Sequence, residues 1–382
     1  MSFSEWKEVK LNEVINFKNG RKKPDDEGSI PIYGGNGVLG YTNTFNNEKV
    51  VIIGRVGAYC GSVYYEPGKC WISDNAFSAQ AIDDNSIKYV YYMLKSLKLN
   101  ERRIGTGQPL LTQSILNNIN TIYPEGEEQN AIADTLSCLD EKIELNNRMN
   151  KTLEEMSQAI FKSWFVDFEP FQDGEFEDSE IGRIPKGWKI KSIGEITKII
   201  RGASPRPIQD FLSTEGMPWL KISDATSSNS KYITKTNEFI KIEGVAKSRR
   251  VLPGTLILSN SATPGIPRVM LIEACVHDGW LIFDDYTELP KEYIYYLLLN
   301  ERDKILSLSN GSVFRNLKTD ILKTYKIVVP PKDVVDKIIP TFIGINKIIK
   351  YKVKEIENIT NIRDTLLPKL MSGEIRVPIE EV

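Results

Sequence analysis

Residues 131–164 read AIADTLSCLDEKIELNNRMNKTLEEMSQAIFKSW, and the spacing of side chains in this stretch decides the fold. Ten positions follow one another in alternate steps of four and three residues, which is the spacing of a coiled-coil seam. The same frame recurs 206 residues further along the chain. The two sets are Ile132, Leu136, Leu139, Ile143, Asn146, Asn150, Leu153, Ser157, Ile160 and Trp164, and Ile338, Phe342, Ile345, Ile349, Lys352, Ile356, Ile359, Arg363, Leu366 and Leu370. The pattern predicts two helices of about 38 residues and ~57 Å that pack along these seams.

Some seam positions are polar, and such residues more often fix the register or orientation of a helix pair than stabilise it. These positions are Asn146, Asn150, Ser157, Lys352 and Arg363. At the far end of the second helix, Pro368 is expected to stop or kink the helix near Leu367, and Gly373 is expected to end it.

An internal repeat extends beyond the helices. WKEVKLNEVINFKNG at residues 6–20 resembles WKIKSIGEITKIIRG at residues 188–202, with Trp and Gly both displaced by 182 residues. Strand-like and helix-like runs recur at 50–55, 62–65 and 89–99, and at 255–258, 269–272 and 291–299. The sequence therefore predicts two strand-rich α+β blocks, each followed by a long helix.

This organisation gives five segments. They are a first globular block at residues 1–125, a first helix at 126–167, an acidic linker at 168–187, a second globular block at 188–330, and a second helix with the C-terminal tail at 331–382.

The composition is typical of a packed globular chain, with 41% hydrophobic and 26% charged residues. No apolar run approaches the ~18 residues that span a bilayer, and the first residues are too polar for a signal peptide. We therefore expect a cytoplasmic protein without a membrane partner. The four cysteines form no CxxC pair, which indicates reduced thiols rather than a zinc site.

The formal net charge of −2 is unevenly distributed. It is +1 for residues 1–125, −11 for 126–180, +7 for 181–331 and +1 for 332–382. A charge block can be a solvated face. Alternatively, the basic blocks face a polyanion while the acidic segment faces solvent or a protein partner.

No enzyme signature is found. Gly35, Gly37 and Gly40 spell GxGxxG, but the following YTNTFNN is a poor helix, and a dinucleotide site needs a helix there. There is no P-loop motif, and His277 is the only histidine. We expect no catalytic residues, no metal and no cofactor bound by this chain itself.

The blocks do offer basic residues interleaved with amides and aromatics, which is an inventory typical of DNA binding. In the first block these are Arg21, Lys22, Lys23, Asn36, Tyr41, Arg55, Tyr59, Arg102, Arg103, Thr106, Gln108 and Gln113. In the second they are Arg201, Arg206, Lys221, Lys247, Arg249, Arg250, Asn260, Arg268, His277, Ser312 and Arg315. Taken singly, a residue of this kind is more often a solvated surface group than a base reader.

Several motifs resemble the specificity subunit of type I restriction-modification systems. They are GTGQPLLTQS at 105–114, YPEGEEQNAIADTLSCLD at 123–140, KIELN at 142–146, AIFKSWFVDF at 159–168 and GRIPKGW at 182–188. The second half departs from the first in two places. NGSVFRNLKTD replaces GTGQPLLTQS, and Cys275–Asp278 replaces Trp71–Asp74.

The resemblance implies two target-recognition domains separated by two long antiparallel coiled-coil helices, with each domain reading one half of a bipartite site in double-stranded DNA. It also implies that the chain recruits modification (methyltransferase) subunits, with a restriction subunit in the full complex. S-adenosylmethionine and ATP are then expected on those partner subunits. Phe161, Trp164 and Phe165 are candidates for docking the modification subunits, although they could instead pack a domain against the helices.

Two other functions stay open from the residues alone. A self-sufficient DNA methyltransferase or nuclease would need a cofactor or metal site that the sequence does not reveal. A tandem module on a coiled-coil scaffold could bind a protein or glycan, and the modest net charge allows it.

Overall fold

The computed structural model describes residues 6–83, 85–105, 107, 109–228, 230–308 and 316–377. The chain divides into two compact units, and one of them is discontinuous in sequence. Unit 1 comprises Met1–Leu145 with Ile356–Val382, and unit 2 comprises Asn146–Glu355. The units therefore do not follow the predicted linear segments, because each long helix contributes one part to each unit.

Unit 1 is built around a six-stranded sheet. Its elements before the long helix are β1 Lys7–Lys10, α1 Leu11–Val14, β2 Ile15–Asn19, β3 Ile30–Gly34, β4 Gly37–Thr42, β5 Asn47–Gly54, β6 Val63–Ile72, β7 Ala76–Ala81, α2 Ile87–Ser96, α3 Gln113–Asn117 and β8 Asn120–Tyr123. The sheet order is β2-β7-β5-β6-β3-β4, and β1 pairs separately with β8. Strand β5 is central because its run VVII has no exposed side chain. The sequence pattern predicted a strand at residues 50–55.

The first long helix, α4, spans Gly126–Phe165. The remaining elements are β9 Phe176–Ser179, β10 Gly182–Pro185, β11 Lys189–Ser192, α5 Ile193–Ile196, β12 Thr197–Arg201, β13 Leu212–Ser213, β14 Met217–Leu220, α6 Ile222–Thr226, β15 Tyr232–Ile233, β16 Glu238–Ile240, α7 Ile242–Val245, β17 Arg249–Val251, β18 Leu256–Ser259, β19 Pro267–Met270, β20 Ala274–Val276, β21 Trp280–Tyr286, α8 Lys291–Asn300, α9 Arg302–Ser307, α10 Thr319–Thr324, β22 Lys326–Val329 and α11 Lys332–Met371. Unit 2 contains two five-stranded sheets, ordered β12-β21-β18-β19-β15 and β13-β16-β14-β20-β17.

The sheets confirm the internal repeat. Phe17 of β2 is opposite Ala79 of β7, and Ile199 of β12 is opposite Phe283 of β21 at the equivalent positions. Strand β6 corresponds to β19 and β20 together. Strand β3 pairs in parallel with β6, and β14 pairs in parallel with β20. After β3, the chain of unit 1 turns back into β4, whereas after β14 the chain of unit 2 enters helix α6. This is the main difference between the two units.

Within each unit, α4 and α11 run antiparallel, as the family resemblance implied. In unit 1, Arg363 of α11 donates from Nη1 to Asp140 Oδ1 of α4 at 2.6 Å. In unit 2, Asn146 Nδ2 donates to Glu355 Oε2 at 3.0 Å. Each predicted seam position is buried or half-buried. The fold class is therefore confirmed.

The acidic segment after α4 is more ordered than a simple linker. It forms a turn at Glu169–Phe171 and the hairpin β9–β10. The rings of Phe171 and Trp188 lie 5.1 Å apart, so the segment is fixed by aromatic packing. The sequence predicted an acidic linker at residues 168–187 and did not predict these elements.

The end of α11 differs from one expectation. The helix continues through Pro368 to Met371, so it does not stop near Leu367, although the proline lacks the N–H that would donate to the preceding turn. Gly373 adopts a positive φ of 72°, and the helix ends just before it, as predicted.

Candidate nucleic-acid interface

Arg55 lies at the end of the central strand of unit 1, directly after β5. Its N–H donates to Asn75 O at 3.0 Å, and its carbonyl accepts from the Leu111 N–H at 2.9 Å. The guanidinium carbon lies 5.5 Å from the centre of the Phe77 ring. The main chain is thus held between two loops, and the half-buried side chain rests on an aromatic ring.

Asn260 occupies the equivalent position in unit 2, directly after β18. Its N–H donates to Gly279 O at 2.8 Å, and its carbonyl accepts from the Leu317 N–H at 2.8 Å. The residue is 4% exposed, and its side-chain Nδ2 donates to Asp278 O at 3.2 Å. The repeat therefore keeps one backbone position and places an arginine there in one unit and an amide in the other.

Gly20 and Gly202 bring a second loop to the same end of each sheet. A Cβ on Gly20 would lie 1.9 Å from Ser73 O, and a Cβ on Gly202 would lie 2.0 Å from His277 O. Only glycine permits this approach. The Arg21 N–H follows and donates to Ile72 O at 2.9 Å, so Arg21 lies beside the loop after β6.

The tip of the hairpin β3–β4 joins this cluster in unit 1. Gly35 O accepts from Ser62 Oγ at 2.5 Å, and the Cβ direction of Gly35 points within 3.6 Å of Asn75 O and Val56 O. Asn36, at the tip, is therefore next to the loop that begins at Arg55.

In unit 2, Asp278 organises the corresponding cluster. Its carboxylate accepts from Ser204 Oγ at 2.9 Å and lies 3.8 Å from the guanidinium nitrogens of both Arg201 and Arg206. Desolvation acts to raise the pKa of Asp278, but the Ser204 hydrogen bond and Arg201 outweigh it and hold the pKa below its ordinary value. An ionised Asp278 therefore orients two exposed arginines. The candidate list from the sequence does not contain Asp278, although Asp278 aligns with Asp74 of the first repeat at a displacement of 204 residues.

His277 is half-buried beside these arginines. Its Nδ1 accepts from the Gly279 N–H at 2.9 Å, and burial lowers the pKa of the imidazole. The ring is therefore neutral at pH 7, with Nε2–H as a hydrogen-bond donor.

The remaining candidate DNA-binding residues differ in their exposure and in their partners. Lys22, Lys23, Tyr41, Tyr59, Arg102, Arg103, Lys247 and Arg249 are exposed. Lys221 pairs with Glu238, and Arg250 pairs with Glu273. Gln113 Nε2 donates to Phe17 O at 3.2 Å. Thr106, Gln108, Ser312 and Arg315 lie outside the described residues.

Arg268 is committed to the fold of unit 2. Its Nη2 donates to Ala225 O at 2.9 Å and to Ser228 O at 3.1 Å. Burial lowers the pKa of the guanidinium. These contacts leave Arg268 less able to meet DNA than its place in the inventory suggested.

Phe161 and Phe165 lie in the core of unit 2. Their rings contact Tyr293 at centroid distances of 5.1 and 4.8 Å. They therefore pack a sheet domain against the helices, which was the alternative to partner docking. Trp164 is half-buried, and docking a modification subunit stays a prediction for it.

Among the described residues, there is no group of three or more His, Cys, Asp or Glu side chains placed to hold a metal ion. Within the same part of the chain, every helix is too short or too polar to span a bilayer.

Comparisons with known proteins agree with this architecture. Residues 3–155 and 185–359 match the family model described as type I restriction modification DNA specificity domain. The MjaIX specificity subunit of Methanocaldococcus jannaschii is 29% identical over 306 residues, covering 76% of this chain and 69% of that protein. The HindI specificity subunit of Haemophilus influenzae is 27% identical over 347 residues, covering 72% and 73%.

A solved type I restriction-modification S subunit from M. genitalium has the same fold. It gives a TM-score of 0.62 at 19% identity and covers 96% of each chain. Because the family model matches most of the sequence, in two copies that fall on the two repeats, this chain belongs to the type I restriction-modification DNA specificity family.

Proposed function

We propose that this chain gives a type I restriction-modification complex its sequence specificity, with each unit reading one half of an asymmetric bipartite site in double-stranded DNA. One observation carries the proposal. The same backbone position holds Arg55 in unit 1 and Asn260 in unit 2, fixed by equivalent hydrogen bonds. Arginine matches the O6 and N7 acceptors of guanine, whereas asparagine matches adenine. Unlike side chains at one position read unlike bases.

The electrostatics of the two surfaces are compatible with DNA. Arg21, Lys22 and Lys23 are exposed in unit 1. In unit 2, Arg201 and Arg206 are held by Asp278. Cationic side chains of this kind position a protein on the phosphate backbone, and the amides and half-buried groups beside them reach base edges.

The long helices supply the geometry. Two readers on a fixed spacer gain avidity only for half-sites at the matching separation, so α4 and α11 set the gap between the half-sites. We further propose that modification subunits dock on the helices. The chain itself supplies no chemistry, and S-adenosylmethionine and ATP bind to the modification and restriction subunits.

Mapping of methylated adenines in the source genome tests the proposal directly. The genome with this gene should carry methylation at one asymmetric motif of two half-sites with a constant gap, and deletion of the gene should abolish it. Methylation of DNA by the isolated chain with S-adenosylmethionine would contradict the assignment of the chemistry to partners.

A salt titration of DNA binding separates this function from binding of a protein or glycan. Binding that neutralises several phosphates loses affinity by orders of magnitude between 50 and 200 mM salt, roughly 10³-fold for six contacts. A flat response would favour the tandem module for another ligand.

A further inference from the structure

The hairpin β3–β4 presents two aliphatic side chains and one aromatic side chain to solvent. Val38 and Leu39 are each 46% exposed, and Tyr41 is 56% exposed on the same strand. Adjacent branched aliphatic residues near a hairpin tip are unexpected on a surface that only meets water. Strand β4 is also an edge of the sheet, where exposed apolar residues invite unwanted pairing. Their presence there therefore requires a reason.

The hairpin is held in one conformation. Gly37 has a φ of +83°, and its Cβ direction points to the Tyr64 ring at 3.6 Å. Gly34 leaves room for Leu39, because a Cβ there would lie 2.5 Å from Leu39 Cδ1. The Gly35 carbonyl is fixed by Ser62. Val38 and Leu39 are thus presented in fixed positions, at little entropic cost to a ligand.

The hairpin shares only a short ladder with the rest of the sheet. Strands β3 and β4 pair with each other at five positions, with Leu39 as a bulge residue that has no partner in the ladder, whereas β3 pairs with β6 only at Ile32 and Tyr33. A two-stranded ribbon of this kind fits the major groove of B-DNA.

The charges near the apolar residues favour a polyanionic partner. The Cβ direction of Gly40 on β4 points to Lys23 Nζ at 3.6 Å, and the tip lies beside the loop that begins at Arg55. Lys23 and Arg55 thus lie on either side of the apolar residues. Asp26 is hydrogen-bonded to Thr42 Oγ1 at 2.7 Å, at the opposite end of the hairpin.

We infer that Val38 and Leu39 contact the 5-methyl group of a thymine in the half-site read by unit 1. This methyl is the one apolar group that the base pairs of unmodified DNA present in the major groove. The inference rests on the proposed function and adds a chemical determinant to it. At the corresponding place unit 2 has α6 instead of the hairpin. The need for a thymine methyl therefore applies only to the half-site that unit 1 reads.

Replacement of thymine by uracil removes the methyl and nothing else. The test uses the full-length chain assembled with the modification subunit of its own system, on its mapped site, with each thymine of either strand replaced in turn. The half-site of unit 1 is the one whose base preference changes in Arg55→Ala. We expect at least one uracil there to weaken binding about fourfold, the value of one buried methyl group.

A protein variant closes the thermodynamic cycle. Val38→Ala/Leu39→Ala should bind the thymine and uracil sites equally, because the contact is already lost. Val38→Thr keeps the shape of the side chain and should reduce the discrimination without disturbing the hairpin. Leu252→Ala, at an exposed apolar residue of unit 2, is the matched control and should leave the discrimination unchanged.

Specific outcomes would overturn the inference. They are uracil tolerance at every thymine of that half-site, a half-site without an A·T pair, or unchanged discrimination in the double variant. A double variant that loses the modification subunit but keeps discrimination would identify the hairpin as a protein interface. Each of these leaves the bipartite specificity intact. Absence of any sequence-specific binding would instead remove the proposed function and this inference together.

Discussion

At the scale of single residues, Arg55 and Asn260 are the sharpest probes of how the two units divide recognition. Both follow the central strand of their sheet, and both have their main chain fixed on each side. A substitution there changes the side chain while the backbone hydrogen bonds remain. The two positions can therefore be compared directly.

Arg55→Ala should weaken binding by about 1–3 kcal/mol and relax the base preference in one half-site, because a bidentate base contact is lost. Asn260→Ala should act on the other half-site. Methylation of libraries randomised in each half-site measures both effects. Arg183→Ala, at an exposed arginine on the acidic hairpin, is the charge-matched control. A uniform loss on all sequences would show that Arg55 contacts phosphate alone.

Lys231 is a residue whose role the sequence did not indicate. It is 5% exposed, and its Nζ donates to Asn346 Oδ1 at 2.8 Å and to Tyr296 Oη at 3.0 Å. The ammonium also lies 3.6 Å from the centre of the Tyr295 ring. Desolvation lowers the pKa of Lys231 to about 8, although Glu154 acts to raise it. This buried cation links the sheet domain of unit 2 to α11.

The stability of the chain should reflect this titration. Between pH 8 and 10.5 the unfolded chain keeps the Lys231 proton that the folded chain has released, so this group makes folding more favourable as pH rises. The contribution approaches about 1.4 kcal/mol per pH unit. Buried tyrosines and cysteines have raised pKa values, so their titration makes folding less favourable at high pH. Comparison with a variant that lacks Lys231 is therefore needed to isolate the contribution of this lysine.

Urea unfolding of Lys231→Met and wild type at pH 7 to 10 measures that difference. The free energy of unfolding of wild type should rise relative to the variant above pH 8. Lys235→Met, at an exposed lysine four residues away, should follow wild type at every pH. A constant difference between wild type and Lys231→Met across the range would contradict the assigned titration.

At the scale of elements, the two long helices depend on one buried face. Ile349 of α11 is 2% exposed, whereas its neighbour Ile348 is 47% exposed. The predicted seam includes Ile349, whose burial agrees with it, and does not include Ile348. The pair offers identical side chains with opposite environments.

Ile349→Asp should lower the free energy of unfolding by about 3 kcal/mol or more, because it buries a charge without a partner. Ile348→Asp should stay within roughly 0.5 kcal/mol of wild type. Chemical denaturation of both variants measures the contrast. Equal effects of the two substitutions would show that the seam is assigned incorrectly.

At the scale of the whole molecule, the long helices are the elements shared by both units. Helix α4 begins in unit 1 and ends in unit 2, and α11 does the reverse. In the proposed function these helices set the gap in the DNA site. Their length then becomes part of the specificity.

Removal of one heptad from each helix, residues 147–153 and 348–354, keeps the seam frame. It shortens each helix by roughly 10 Å, so the gap in the methylated motif should shrink by about three base pairs while both half-sites stay the same. Methylation mapping measures the gap. Removal of four residues from each helix breaks the frame and should abolish methylation. An unchanged gap after the heptad deletion would show that the helices do not set it.

Much of this architecture could be predicted because it rests on local periodicity. The seam frame places apolar groups on one face of each helix, and the displacements of 182, 204 and 206 residues align the repeats. Glycines such as Gly20 and Gly202 mark the same tight approach in both units. These features follow from backbone geometry, which neighbouring residues largely determine.

The chain itself thus determined two helices and two related strand-rich units, and it offered Arg55 and Asn260 only as members of a long set of candidates. The tertiary structure decided which polar and aromatic groups became buried. Lys231, Arg268, Phe161 and Phe165 are enclosed by elements distant in sequence, whereas Val38 and Leu39 are left exposed. Burial depends on which faces of distant elements pack together. The sequence pattern within one element does not specify its distance from the others.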